Sequence, residues 1–342
     1  MPPDSNFRQW TLDSWISRRS PSGPVASTSG QASGAGQRPS RQLPSSHYSP
    51  YATDRRTDPY RRGTALAAVA QETLAVLPNI LAQLPHIDAT RSERHYYTSL
   101  APLNAVYCPR RSPARIKVVN DDTFNAAINL AAAKGPGSGR VAVLNMASHV
   151  SPGGGWLKGA RAQEEALCYR SSLALSLHRR YFPWKQRMGL YTRDVVIIRS
   201  DQDSGHHLLT PHTPPANLPI VSVLSIAALK LPPLADIVKT VRGHPVTRTV
   251  FAKASDRELT KLKMRLCLRM AAHRRHRLLV LGALGCGAFQ NPPREIARCW
   301  LEVLKEPEFQ GGWWEEIWFA VFDKRGEGNL EIFEEILDGV SV

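Results

Sequence analysis

Three consecutive glycines, Gly153-Gly154-Gly155, are followed after seven residues by Gln163-Glu164-Glu165, at the start of a stretch with helical character. Glycine opens backbone conformations closed to other residues and lets amide donors approach a ligand with no side chain between. Phosphates or sugars would suit such a surface. Adjacent glutamates on a helix point about 100° apart, so the spacing predicts that they do not face one atom and that their roles differ. A carboxyl beside a glycine-rich, partly dehydrated crevice should hold its proton more tightly. That suits a general acid that protonates a leaving oxygen and then, as carboxylate, activates water. An acidic first turn stabilised by the helix macrodipole also accounts for Glu-Glu, with no chemistry, and on local grounds it is the simpler account.

A second glycine-bearing segment has the same logic: the apolar run "RLLVLGAL", then "GCGAFQNPP", then a helical pattern. Amides from Gly285 to Phe289, with a helix N-terminus behind them, would form an anion site. Two such loops at the carboxyl ends of strands imply a crevice between them, although either loop alone reads equally as a tight strand-to-helix turn. There is no G-x-x-x-x-G-K-[ST] and no G-x-G-x-x-G with a downstream acid, which disfavours a nucleoside triphosphatase or a dinucleotide dehydrogenase.

The elements that must position these loops are legible as periodicities. Leu66, Val69, Leu74, Leu77, Ile80, Leu81 and Leu84 recur near 3.6 residues, predicting a long amphipathic helix at the start of the folded region. Short β-rich runs follow at Ile116–Val119, Val141–Met146, Val195–Ile198, Ile220–Ile226, Leu278–Leu281 and Ile317–Phe322, separated by helical patterns. The alternation predicts a three-layer α/β domain with a mostly parallel or mixed sheet. Ser255 and Glu258 have capping-box spacing ahead of a helix running to about Arg275, and Asn291-Pro292 suits the cap and first turn of another. No internal repeat is present. Residues 1–63 are rich in Ser, Pro, Gly, Gln and Arg and are expected to be a disordered tail, with one domain over 64–342. Within the tail, Gln9, Leu12, Trp15 and Ile16 are spaced like the anchors of a peptide that docks on a sliding clamp, though a chance amphipathic turn is the plainer reading.

The chain of 342 residues carries 44 Lys and Arg against 29 Asp and Glu, a formal +15 that favours anionic partners. Its five cysteines (Cys108, Cys168, Cys267, Cys286, Cys299) include no C-x-x-C pair, so neither a disulfide framework nor a zinc site is expected. No apolar run is expected to reach the ~18 residues of a membrane span, and the expectation is a soluble, intracellular monomer, nuclear or cytoplasmic. Three further features read as ordinary: His206 and His207 as solvated loop residues, "HRRHR" at 273–277 as a solvated helix end, and Trp313, Trp314, Trp318 and Phe319 as core packing.

The combination of Gly153-Gly154-Gly155 with Gln163-Glu164-Glu165 resembles the signature of poly(ADP-ribose) glycohydrolases. The wider string "VLNMASHVSPGGGWLKGARAQEEALCYRSSL" is similar to the microbial type of that family, and the likeness extends from "ALAAVAQETLAVL" through "IKVVNDDTFNAAINLA" to "LVLGALGCGAFQNPP" and "WFAVFD". The resemblance implies a macrodomain-like core over about 115–340, with a mixed central sheet and an added N-terminal helical segment. It implies that Glu165 is the catalytic acid at the ribose-ribose bond and that Glu164 holds ribose hydroxyls. Asn145, Gln163, Gly153, Gly154 and Gly155 would contact substrate. Gly285, Cys286, Gly287 and Ala288 would bind the diphosphate, and Phe289 would lie against the adenosine side and favour cleavage from chain ends. One Glu would serve as acid and base, with no protein nucleophile, metal or cofactor, and the partners would be poly(ADP-ribose) or ADP-ribosylated proteins.

Two departures stand out. Ser151 occupies the position at which the family has Asn before the glycines, with His149 close by, and "RSDQD" at 199–203 differs from the family's turn. Activity is expected to survive, with a changed preference among ADP-ribose linkages. The rivals are a macrodomain reader that binds ADP-ribose without hydrolysing it, for which the glutamate pair has no use, and a hydrolase of mono(ADP-ribosyl) groups. A nonspecific DNA-binding protein would also account for the charge, but no nucleic-acid motif accompanies it.

Overall fold

The computed structural model describes residues 59–342 apart from 136, 242 and 325. The clamp-like residues Gln9, Leu12, Trp15 and Ile16 lie outside the described residues. The first helix, α1 (Pro59–Leu81), starts five residues before the expected boundary, because Pro59 suits a first turn. It buries Leu66, Ala70, Thr73, Leu77 and Ile80. Thr73 turns inward, where its hydroxyl donates to Tyr169 O at 2.8 Å and accepts from Arg199 Nε at 2.8 Å. One expectation needs correcting here, since Gly63–Leu81, at 19 residues and a mean hydropathy of 1.3, is long and apolar enough by composition to cross a membrane. Its inward face is nevertheless joined to the domain core.

The remaining elements are β1 (Glu93–Tyr96), β2 (Arg115–Val119), α2 (Thr123–Lys134), β3 (Ala142–Met146), α3 (Gln163–Arg170), the short α4 (Leu173–Ser176), β4 (Met188–Val196), β5 (Ile220–Ile226), β6 (Leu234–Val241), β7 (His244–Phe251), α5 (Ala254–His273), β8 (Leu278–Gly282), α6 (Pro293–Leu304), β9 (Glu316–Ala320) and α7 (Asn329–Leu337). Seven strands form one mixed sheet in the order β1-β4-β5-β3-β8-β9-β2. β5, β3, β8, β9 and β2 are parallel, and at one edge β4 pairs antiparallel with β5 and β1 antiparallel with β4.

Strand residues alternate between two cores, as the period of two requires. Leu279 and Leu281 of β8 join Ile317 and Phe319 of β9 under α5, α6 and α7. Leu278 and Val280 join Trp318 and Ala320 under α1, α2 and α3. This is the three-layer arrangement, and the tryptophan cluster is core, with Trp313, Trp314, Trp318 and Phe319 all buried.

Several local expectations fail for identifiable reasons. β1 reads Glu-Arg-His-Tyr and carries no apolar signal because it is an edge strand, and the β6–β7 hairpin stands apart as its own two-stranded sheet. Ser255 lies inside α5, which starts after Lys253 with no side-chain cap. Asn291 does not cap α6. Its Nδ2 donates instead to Leu229 O (2.7 Å) and Gly285 O (3.1 Å). His206 is buried with its ring 5.7 Å from that of Tyr169, unlike a solvated loop residue. His276 is also buried, sharing hydrogen bonds with Tyr191 Oη at 3.0 Å and Arg140 O at 3.1 Å, and burial lowers its pKa to about 4.

Candidate active site

β3 and β8 are parallel neighbours, so the loops leaving their carboxyl ends emerge side by side. Their closeness is tight enough that a Cβ at Gly282, the last residue of β8, would sit 2.7 Å from Met146 Cε at the end of β3. The first loop returns through Gly153-Gly154-Gly155 to α3, whose first residue fixes the helix to the strand. Gln163 Oε1 accepts from Met146 N at 2.8 Å, and its Nε2 donates to Leu144 O (2.7 Å) and Thr123 Oγ1 (3.0 Å). Both amide hydrogens are thus used within the protein, and Gln163 positions α3 rather than presenting its NH2 to a ligand.

That anchoring sets the two glutamates. Glu165 is 8% exposed; its Oε1 accepts from Gly155 N at 2.8 Å and its Oε2 from Ala162 N at 3.1 Å. Glu164 is 3% exposed; its Oε2 accepts from Ser148 N at 2.7 Å and its Oε1 from Asn145 Nδ2 at 3.4 Å. Burial pushes the Glu164 carboxyl up to about 8, overriding the Ser148 amide that favours the anion. Glu164 is therefore largely neutral at pH 7. Asn145 is itself held by Ser225, whose Oγ accepts from its Nδ2 at 3.0 Å.

The two side chains converge more than their helical spacing predicts. Gly154 has φ +60°, and a Cβ there would lie 2.2 Å from Glu165 Oε1 and 3.2 Å from Glu164 Oε2. Both carboxylates reach one point of the loop because the loop folds over the start of α3. Gly153, with φ +66°, is pressed between the Trp156 ring and Cys168 Sγ. The expectation that these glycines present amides to a ligand is corrected too, since Gly154 N donates to Ser151 O at 3.0 Å and Gly155 N to Glu165. Their small size admits the carboxylates.

The second loop is arranged differently. Gly285, at φ +77°, fits between Ala228 Cβ and Asn291 Nδ2, each 2.5 Å from where its own Cβ would be. Beyond it Gly287 and Ala288 are exposed and Phe289 is half-buried. The amides of these three residues have no acceptor among the described residues. The helix behind contributes less than its position suggests, because Pro292 and Pro293 at the start of α6 have no N–H to offer. Cys286 is half-buried, and burial pushes its thiol up, away from nucleophilic use.

Ser148, Ala162, Ser225 and Thr123 all position site residues and carry no motif of their own. Ser225 could be found only through strand pairing, in which it stands opposite Asn145. The 199–203 segment is tied to α1. Arg199 is buried against Thr73, Glu72 (2.9 Å) and His206 O (2.8 Å). Burial alone would raise the Asp201 carboxyl, but Ser204 and Asn125 hold it at about 2.

The catalytic-domain family of microbial-type PARG, poly(ADP-ribose) glycohydrolase, matches residues 68–200, which include both glutamates and the first loop. Among solved structures, the poly(ADP-ribose) glycohydrolase from Thermomonospora curvata is similar at 26% identity and TM-score 0.59, covering 80% of this chain and 99% of its own. The same protein bound to the inhibitor ADP-HPD gives 27% and 0.58 over the same shares. The poly(ADP-ribose) glycohydrolase from Deinococcus radiodurans in complex with ADP-ribose gives 27% and 0.55, covering 73% of this chain and 96% of its own. No curated protein matches the chain.

Proposed function

We propose that the chain is a poly(ADP-ribose) glycohydrolase of the microbial type, which hydrolyses the ribose-ribose O-glycosidic bonds of poly(ADP-ribose) and releases ADP-ribose. The observation that carries this reading is Glu165, buried under the glycine loop with one oxygen on Gly155 N and the other on Ala162 N. Held in one rotamer, the carboxylic acid protonates the oxygen leaving the anomeric carbon. The resulting carboxylate then removes a proton from the water that attacks the oxocarbenium-like carbon, and Glu165 ends the cycle protonated as it began.

Glu164 has a complementary part. As a neutral carboxyl it can both donate to and accept from ribose hydroxyls, and it adds no second negative charge beside the acid. Asn145 and Ser225 hold it in place. The free amides of Gly287, Ala288 and Phe289 receive the diphosphate, and Phe289 lies against the adenosine side, directing cleavage to chain ends. The nearby Gly153, Gly154 and Gly155 close over the distal ribose while keeping the carboxylates in contact with the loop.

The test is to incubate the full-length protein with purified poly(ADP-ribose) and resolve the products over time. Accumulation of free ADP-ribose from the earliest points supports a hydrolase acting at chain ends. Shortened polymer without monomer contradicts the chain-end reading, and no release at all contradicts the hydrolase.

A further inference from the structure

Arg91, Arg94, Arg179, Arg180, Lys185 and Arg187 are all exposed, in or just before β1 and in the segment leading into β4. The two stretches are joined as one unit. Tyr181 Oη donates to Ser92 O at 2.7 Å, and Tyr97 N donates to Arg187 O at 2.9 Å. None of the six cations has a carboxylate partner among the described residues. The acids closest in sequence are engaged elsewhere, Glu93 with Arg274 and Asp88 with Thr90. Unpaired cations on two segments joined in this way repel one another, and an anionic chain that displaces their counter-ions would relieve this.

Aromatic rings are interleaved with the charge. Arg94 and Lys185 lie 5.5 and 5.8 Å from the centre of the Tyr96 ring, and Arg180 lies 5.2 Å from that of Tyr181. Cations alternating with half-buried rings are what a flexible chain of phosphates and bases needs in order to bind without sequence readout. The segment is also tied to the first loop of the site. Trp184, next to Lys185, donates its amide to His149 O at 2.8 Å, and the residue before His149 is Ser148, whose amide holds Glu164.

We infer that this surface binds the length of an ADP-ribose polymer beyond the unit held at Glu165, its cations meeting the diphosphates and Tyr96 and Tyr181 the bases. The inference rests on the hydrolase reading for the identity of the polymer, while its binding test does not depend on turnover. The affinity of the full-length protein for long poly(ADP-ribose) and for free ADP-ribose is measured across a salt series. The triple variant Arg179→Glu, Arg180→Glu, Lys185→Glu is compared with wild type, and the milder triple Gln variant guards against a folding defect.

The expected result is a loss of about tenfold or more in polymer affinity and a fall of about 2 in the slope of log affinity against log salt. Affinity for free ADP-ribose should stay within about twofold, and the Gln variant should fall between. Polymer affinity equal to wild type would overturn the inference, as would an equal loss for free ADP-ribose, or single-stranded DNA of matched charge binding the surface as tightly as the polymer. A wild-type protein that cleaves no polymer would sink the hydrolase reading and leave this binding comparison to be judged by its own slope.

Discussion

A side chain added at Gly154 would collide with Glu165 and crowd Glu164, whereas one added at Gly287 would meet nothing within 4 Å. The two loops leave neighbouring parallel strands and look alike as strings of glycine. In the first, Gly154 and Gly155 donate their amides within the protein, and their missing side chains make room for two buried carboxyls. In the second, glycine at 285 permits the turn, and the amides beyond it remain open. Glycine thus admits the protein's own acid in one loop and leaves backbone amides open in the other, so the loops should fail differently when altered.

Gly154→Ala should have the largest effect. The new methyl displaces Glu165 from its amide partners, and misplacing a reacting group by about an ångström costs on the order of 10²-fold in rate. Turnover should fall by that much or more while ADP-ribose affinity changes far less, a split that steady-state kinetics and calorimetric binding would resolve. Gly285→Ala should do the reverse. Its strained φ and its crowding against Asn291 cost about 1–3 kcal/mol, to be seen as weaker ADP-ribose binding and a lower Tm, with saturated turnover closer to wild type. If both variants lost rate and affinity in the same proportion, the contrast between the loops would collapse.

Glu164 sharpens the contrast through pH. Its folded value of about 8 lies above its ordinary 4.5, so the stability from its retained proton is complete in acid and is lost as pH rises through about 8. The total is at most about 5 kcal/mol. Glu164→Gln should flatten the pH dependence of unfolding free energy between about pH 5 and 8. A slope as steep as wild type in denaturant titrations would place the proton elsewhere. Smallest of all, Gly287→Ala should leave the unfolding free energy within about 0.5 kcal/mol of wild type in denaturant titrations, because its Cβ enters open space at an ordinary φ.

Much of this was legible in advance because it depends on local pattern. The apolar runs of β3, β5 and β8 are buried on both faces and read directly as strands, and Gly-Gly-Gly with Gln-Glu-Glu locates the site. What was illegible depends on contacts between distant segments. Ser225 matters only because β5 lies opposite β3, and Asn291 clamps a loop instead of capping a helix because Leu229 O and Gly285 O are within reach. His206 and His276 sit in polar strings and are nevertheless buried, since burial follows from which element packs above them. Likewise β1 lacks an apolar signal because its partner lies on one side only. The convergence of Glu164 and Glu165 escaped the helical spacing rule because that rule ignores a loop folding back over the helix.

The most direct measurement of the central claim is ADP-ribose release from poly(ADP-ribose) by Glu165→Gln, with ADP-ribose binding measured on the same preparation. The account predicts that the variant binds within a few-fold of wild type and releases at least about 10²-fold less product, since glutamine keeps the volume and cannot transfer the proton. Release at the wild-type rate would mean that the acid lies elsewhere and that the glycine loop cradles a carboxylate with no part in the chemistry.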